Sequence, residues 1–277
     1  MIWNRNYHTH STYCDGFSRP EESVRRALEL GFCSLGFSGH SHTAFDEGYC
    51  MSRETAAIYR EEIGRLREQY ADRIEILCGL EYDYYSDETL SGWDYLIGSV
   101  HYLRKDGEYL PVDESAEITI ANIRDYYGGD IYAYAEDYFE TIAKVCEKIH
   151  CDIIGHFDLV AKFNSSPEMA AAGMVIDEDH PRYVAAWMQA VERLIPYDAA
   201  FEINTSAWYR GKKDPYPSAA ILREILRRGG RITISSDSHE AGTLNRGFDR
   251  AVALAREIGF TSLTAMSAAG PVEVAVE

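Results

Sequence analysis

Two histidines one residue apart, His8 and His10, sit in the stretch Tyr7-His8-Thr9-His10-Ser11-Thr12-Tyr13-Cys14-Asp15. At the end of a β-strand such a pair points to one face, because strand side chains alternate with period two. Two neutral imidazoles held that way form a pincer for zinc, manganese or iron. Asp15, in the loop that follows, adds a hard oxygen ligand. A lone His-x-His is more often two polar residues on an edge strand, so the rest of the chain decides its meaning.

Short apolar runs alternate with helix-period segments along the chain. Strands are expected over residues 5–8, 34–38, 74–80, 95–100, 152–155, 200–203 and 231–235. Helices are expected over 20–30, 53–70, 132–148, 180–194, 218–228 and 246–258. Pro20-Glu21-Glu22 suits a helix start, and Gly31, Gly229-Gly230 and Gly259 suit helix stops. Regular βα alternation implies a parallel sheet. Seven strands fit a closed, TIM-like α/β barrel, and a chain of 277 residues fits one such domain. Residues 103–130 break the rhythm; this acidic segment carries Tyr109, Tyr126 and Tyr127 and is expected to form an ordered lid.

The metal-competent residues fall at the carboxyl ends of those strands. His8 and His10 end the first strand, His40 and His42 the second, Glu81 the third and His101 the fourth. His156 and Asp158 end the fifth, and Asp237 and His239 the seventh. Only His150 and His180 of the nine histidines lie elsewhere. The carboxyl end is the face on which barrel enzymes build their sites, and coincidence at one end of six strands argues for a shared centre.

The composition narrows the partners. A net charge of −18 argues against nucleic acid, whose binders carry a basic stripe. No run of about 18 apolar residues exists, so no membrane span is expected. The first residues lack the apolar core of a signal peptide. Six cysteines without a Cys-x-x-Cys pair suggest reduced thiols and a cytoplasmic protein. Cys14 is read as a packing residue.

In this order, these residues resemble the polymerase-and-histidinol-phosphatase (PHP) superfamily of metal-dependent phosphoesterases. The resemblance is carried by His-Thr-His-Ser at 8–11, His40, Gly-Leu-Glu at 79–81, Gly-Ser-Val-His at 98–101, Gly-His at 155–156 and Asp-Ser-His at 237–239. Within the superfamily the chain is similar to the histidinol-phosphate phosphatases. The aromatic insertion after His101, Gly155-His156-Phe157-Asp158-Leu159, and Glu202-Ile203-Asn204-Thr205-Ser206 with Tyr209-Arg210 carry that narrower match.

The resemblance implies a distorted seven-stranded (β/α)7 barrel with up to three divalent ions. It assigns His8, His10, Glu81 and Asp237 to one ion. Glu81 then bridges to a second, completed by His101 and His156, while Asp15, His40 and His239 hold the third. Some members have histidine in place of Asp15, and the family's second motif often reads Asp-His where this chain has Gly39-His40. The resemblance also points to Arg210 as a phosphate ligand. Lys162, after strand five, is a second candidate. His42 could protonate a leaving group or orient a ligand, and both roles stay open.

The charges agree with an anionic substrate. Three divalent ions set against Asp15, Glu81 and Asp237 leave a surplus of about three positive charges. Such ions activate water and polarise phosphoryl oxygens, so Ser11, Ser38 and Ser99 need not act as nucleophiles. The implied reaction is hydrolysis of the small-molecule ester L-histidinol phosphate in histidine biosynthesis. Asp113, Glu114 and Glu117 are candidates to meet the substrate's ammonium. Phosphotyrosine or another small phosphate ester is an alternative substrate. A non-catalytic interaction module is a third reading, opposed by the complete ligand set. An amidohydrolase also opens with His-x-His, but the Gly-Leu-Glu and Asp-Ser-His motifs do not fit one. Nothing in the sequence sets the oligomeric state.

Overall fold

Tyr95 shows how the central strands are spaced. Its side chain lies against Gly36 and Gly79, where an added Cβ would come within 2.4 Å of the hydroxyl oxygen and 2.3 Å of the ring, respectively. Its hydroxyl donates to the carbonyls of Tyr7 and Phe37, at 2.6 and 3.1 Å. Glycine is needed at both positions because no side chain fits beside the ring.

The computed structural model describes residues 3–276. Strand β1 (Arg5–Asn6), helix α1 (Pro20–Glu29), β2 (Ser34–Phe37), α2 (Arg53–Gln69) and β3 (Glu75–Cys78) form the first part. After Gly79 the chain continues as β4 (Leu80–Asp83), then β5 (Leu96–Ser99) and an antiparallel hairpin, β6 (Tyr102–Lys105) with β7 (Glu108–Pro111). Helices α3 (Ala116–Tyr127), α4 (Ile131–Ile142) and α5 (Val145–Ile149) lead to β8 (Ile153–Ile154). Next come α6 (Pro167–Ala172), α7 (Pro181–Leu194), β9 (Ala200–Asn204), α8 (Ser206–Tyr209), α9 (Ala219–Arg227) and β10 (Arg231–Ser235). Helix α10 (Phe248–Ile258) and a terminal hairpin, β11 (Ser262–Ala265) with β12 (Val272–Ala275), follow.

This is an α/β fold with two parallel sheets, ordered β1-β2-β3 and β10-β9-β8-β5-β4. The two are linked at both ends. One run of chain supplies β3 to the first sheet and, past Gly79, β4 to the second. Beyond β2, His40 bridges Glu81 in parallel, with Glu81 N–H donating to Gly39 O at 3.1 Å. Beyond β1, Thr9 bridges Ser238, with His10 N–H donating to Ser238 O at 2.8 Å. Both bridges lie at the carboxyl ends of the strands; the first joins two candidate ligands and the second joins residues next to them.

The helices form for ordinary reasons. Pro20 opens α1 while Glu22 accepts the Arg19 N–H at 2.7 Å, a satisfied first turn. Ser52 caps α2 by accepting from Thr55 N–H at 3.1 Å. The buried faces of α2 (Ala56, Tyr59, Ile63, Leu66) and α7 (Tyr183, Trp187, Ala190, Val191, Leu194) follow the helical period. The apolar residues they bury join one cluster that runs from Trp3 to Met266.

Several elements differ from expectation. The helix expected over 132–148 breaks after Ile142, because Ala143 and Lys144 leave the α4 register before α5 begins. Residues 103–130 are ordered as the β6–β7 hairpin and α3. The hairpin turns at Asp106-Gly107, with φ 52° and 92°, the left-handed pair that tight hairpins require. Helix α3 is capped by Ser115, which accepts from Ile118 N–H, and stops at left-handed Gly128. Helix α6 and the β11–β12 hairpin have no counterpart among the expected elements. Among the described residues, no helix is long and apolar enough to cross a membrane.

Candidate metal centre

Imidazole and carboxylate donors from five other strand ends converge on Glu81, which is 1% exposed. Its Oε2 lies 3.1 Å from His8 Nε2 and 3.4 Å from His10 Nε2. Asp237 Oδ1 lies 3.5 and 3.1 Å from the same two nitrogens. Ligands 2.0–2.1 Å from a tetrahedral ion stand about 3.3–3.4 Å apart, so these four atoms have the spacing of a coordination shell. The other Glu81 oxygen, Oε1, lies 3.0 Å from His156 Nε2 and 3.4 Å from His101 Nε2, and those two nitrogens are 3.2 Å apart. A third group gathers Asp15 Oδ2 with His239 Nε2 at 3.2 Å and His40 Nε2 at 3.6 Å. His10 also stands beside this group, with Nδ1 3.5 Å from Asp15 Oδ1.

The donor atoms fit cations on a second ground. His8 Nε2, His10 Nε2, Glu81 Oε2 and Asp15 Oδ1 are buried without a hydrogen-bond partner among the described residues, an arrangement that is costly unless something completes it. Burial alone would raise Glu81, but the imidazoles of His8, His40 and His101 hold it well below the usual carboxylate range. Burial opposes charge on His8 too, yet Glu202, Glu81 and Asp237 pull its imidazole well above its ordinary value. Without metal, a proton on the His8 imidazole answers the buried carboxylates around it. Divalent ions displace such protons when they bind.

Further side chains hold the donors in place. Glu202, fully buried in β9, accepts from four donors: His8 Nδ1 (2.9 Å), His156 N–H (2.6 Å), Asn204 Nδ2 (2.9 Å) and Ser235 Oγ (2.5 Å). Only a carboxylate can accept from so many at once. Asp83 accepts from His101 N–H at 2.8 Å and approaches His101 Nδ1 at 3.3 Å. Ser99 Oγ donates to Glu81 Oε1 at 2.7 Å. Asp237 is held at φ 51°, a left-handed conformation that Asp tolerates better than most residues. Sequence reasoning assigned no role to Glu202 or Asp83. Period two was the available signal, since Glu81 and Asp83 share one face of β4, and Glu202 and Asn204 share one face of β9.

A cavity of about 240 Å³ opens above the donors. Asp15, His40, Glu81, His101, His156, Asp237 and His239 line it, together with Arg210, Lys162, Tyr49, Tyr102 and Tyr216. Pro111, Asp113 and Glu114, from β7 and the turn after it, also line it, so the 103–130 insertion forms part of its wall. Lys162 Nζ is held by Asp113, 3.0 Å from Oδ2. Arg210 is exposed at the end of α8 and makes no ion pair among the described residues.

Two of the expected residues lie outside the cavity lining. His42 does not line the cavity: its Nδ1 faces Asp87 at 3.0 Å and its Nε2 faces Glu47 at 3.4 Å. Both ring nitrogens are thus engaged by carboxylates of residues that are not candidate ligands, which supports neither a leaving-group nor a ligand-orienting role. Of the three candidate acids, Glu117 lies exposed in the first turn of α3 and does not line the cavity, whereas Asp46 does.

Known proteins resemble this chain in sequence and in fold. A 29% identical protein of Schizosaccharomyces pombe covers 92% of this chain and 87% of its own length. A 27% identical protein of Deinococcus radiodurans covers 93% and 94%. Both bear the name "Probable histidinol-phosphatase". The crystal structure of histidinol phosphate phosphatase from Lactococcus lactis, complexed with zinc, L-histidinol and phosphate, superposes with a TM-score of 0.74 at 21% identity. It covers 97% of this chain and 98% of its own. The profile of the PHP domain matches residues 6–206, nearly three-quarters of the sequence, and the chain belongs to the PHP domain family.

Proposed function

We propose that the chain is a metal-dependent phosphomonoesterase that hydrolyses L-histidinol phosphate to L-histidinol and phosphate. The observation that carries this reading is the Glu81 carboxylate, whose two oxygens each complete a separate cluster of imidazole donors. Family membership and similarity to histidinol-phosphatases over most of the chain support the substrate. So do the histidinol and phosphate of the Lactococcus lactis complex. The complete donor set speaks against a non-catalytic module.

His8, His10, Glu81 and Asp237 would hold one ion, Glu81, His101 and His156 a second, and Asp15, His40 and His239 a third. Zinc, manganese and iron all suit this mixture of imidazole and carboxylate. When bound, such ions supply a water activated near neutral pH and a positive field for phosphoryl oxygens. The chain's own groups do the rest. Arg210 is free to clamp phosphate in a bidentate fashion. Lys162 presents a second cation whose position Asp113 sets. Asp113 is already paired with Lys162; Glu114 and Asp46, which makes no ion pair but accepts from Tyr102 O–H and Gly48 N–H, are the other acids that could meet the substrate's ammonium.

The two bridges that link the parallel sheets support a distorted seven-stranded barrel, formed as one domain by the described residues. The acidic charge and the biosynthetic substrate favour a cytoplasmic enzyme without a nucleic-acid or membrane partner.

The deciding experiment measures phosphate release by metal-analysed protein from L-histidinol phosphate, glycerol phosphate, phosphotyrosine and p-nitrophenyl phosphate. A paired ammonium should favour histidinol phosphate over glycerol phosphate by about 10- to 200-fold in kcat/KM. Equal values would remove the histidinol assignment and leave a phosphomonoesterase of small esters. Preference for phosphotyrosine would establish the alternative substrate.

A further inference from the structure

We infer that the hydroxyl of Tyr216 contacts the substrate, donating a hydrogen bond to a phosphoryl oxygen of the bound ester. The inference rests on the phosphomonoesterase reading above and adds to it a catalytic residue beyond the metal donors and Arg210.

Tyr216 lines the cavity above the donor cluster, yet the residue is only 1% exposed. Its hydroxyl is buried and has no hydrogen-bond partner among the described residues. An orphaned buried donor is expensive, and native proteins keep one mainly where a ligand or an ordered water completes it.

The side chain is also fixed in place. Tyr216 N–H donates to Asn204 O at 3.1 Å, and Tyr216 O accepts from Asn204 N–H at 2.7 Å, a two-bond bridge to the last residue of β9. Lys212 Nζ stands 5.5 Å from the ring centroid, within cation–π range. Lys212 is itself tied to Glu178 at 3.2 Å and to the Ala161 carbonyl at 3.3 Å. The backbone that carries the phenol is therefore tied to a strand end, a rigid support of the kind that an oriented hydrogen bond needs.

The chemistry suits an anion. Burial pushes the phenol well above its ordinary value, with Arg210 the leading opposing influence, so at neutral pH the group is a donor. Arg210, the candidate phosphate clamp, lines the same cavity. Each oxygen of a phosphate dianion has several lone pairs, so one can accept from the phenol while the metal ions and Arg210 engage the others.

Tyr216→Phe removes only the hydroxyl and keeps the ring, the Lys212 contact and the backbone bridge. A hydrogen bond to a charged group is worth a factor of roughly 10 to 100. We expect the variant to lose that factor in kcat/KM for p-nitrophenyl phosphate and L-histidinol phosphate. Inorganic phosphate should bind the metal-loaded variant correspondingly more weakly by calorimetry. Bound metal and Tm should match the wild type. The competing account is a buried water shared with the unpartnered Tyr183 hydroxyl and Asp158 Oδ1. It predicts an altered Tm with unchanged kinetics and phosphate affinity, and that result overturns the inference. Tyr183→Phe, outside the cavity, serves as the control and should leave both unchanged. A wild type that binds phosphate but hydrolyses none of the esters would sink the phosphatase reading alone, because calorimetry still decides whether Tyr216 contacts phosphate.

Discussion

Glu202 Oε2 lies 2.9 Å from Nδ1 of His8, while the opposite ring nitrogen faces Glu81 and Asp237. That contact keeps the proton on Nδ1 and frees Nε2 as a donor atom. Both residues are buried, so the ring has little freedom to turn.

Replacing Glu202 by Gln should therefore weaken metal binding. The variant keeps the shape but puts an amide NH₂ among groups that all donate. Partners of this kind typically change metal affinity by about 10- to 100-fold. Competition against a chelator of known affinity measures it. Unchanged affinity would mean that His8 is oriented by packing alone.

Glu81→Gln tests the bridge. The amide offers one oxygen where two faced separate clusters, so the variant should lose more than one equivalent of bound metal and nearly all activity. Elemental analysis of the purified variant gives the answer, and wild-type metal content would remove Glu81 from the centre. Asp15→Ala should cost the third ion with a milder effect on the other two.

Most of this centre is legible in the amino-acid sequence, for a physical reason. Strand side chains alternate, and parallel strands end together, so donors at the carboxyl ends of separate strands must meet. His8, His10, Glu81, His101, His156, Asp237 and His239 all follow that rule. His42 does not, because a residue in a loop has no such constraint and the pull of Asp87 and Glu47 is invisible in sequence. The β6–β7 hairpin is signalled by Asp106-Gly107 between alternating residues, although the glycine read alone marks only a break in the pattern. The pairing of Lys162 with Asp113 joins residues far apart in the chain, and no local pattern announces it.

Arg210 is exposed, lines the cavity and lacks an internal ion-pair partner among the described residues. If it clamps phosphate in both ground and transition states, Arg210→Lys should lower kcat/KM by roughly 10- to 1000-fold, on the order of 1.4–4 kcal/mol. Metal content should stay intact. Wild-type kinetics in Arg210→Ala would return the residue to the surface.

His42→Ala should leave kcat/KM within about 3-fold of wild type, because both ring nitrogens face residues outside the cavity. Partly exposed pairs of this kind contribute at most about 1 kcal/mol, so the loss of stability should be small. A fall in activity as large as that of a metal-donor variant would restore His42 to the reaction.

Asp158 sets a pH dependence of stability. Burial pushes its carboxyl up to about 7, against Lys212 and with help from Glu178, whereas an unfolded Asp titrates near about 3.9. Between about pH 4 and 7 the folded state keeps a proton that the unfolded state has released. Its contribution to stability therefore falls as pH rises through that window and levels off above it. Asp158→Asn removes the titration, and its amide oxygen can still accept from Ser218 N–H, 3.0 Å from Oδ2 in the wild type. At pH 8 the variant should exceed the wild type by on the order of 1–4 kcal/mol, and the gap should close towards pH 4. Urea unfolding of both proteins at matched metal loading measures the difference, in which pH effects common to both cancel. A gap that does not change with pH would show that Asp158 titrates normally in the folded protein.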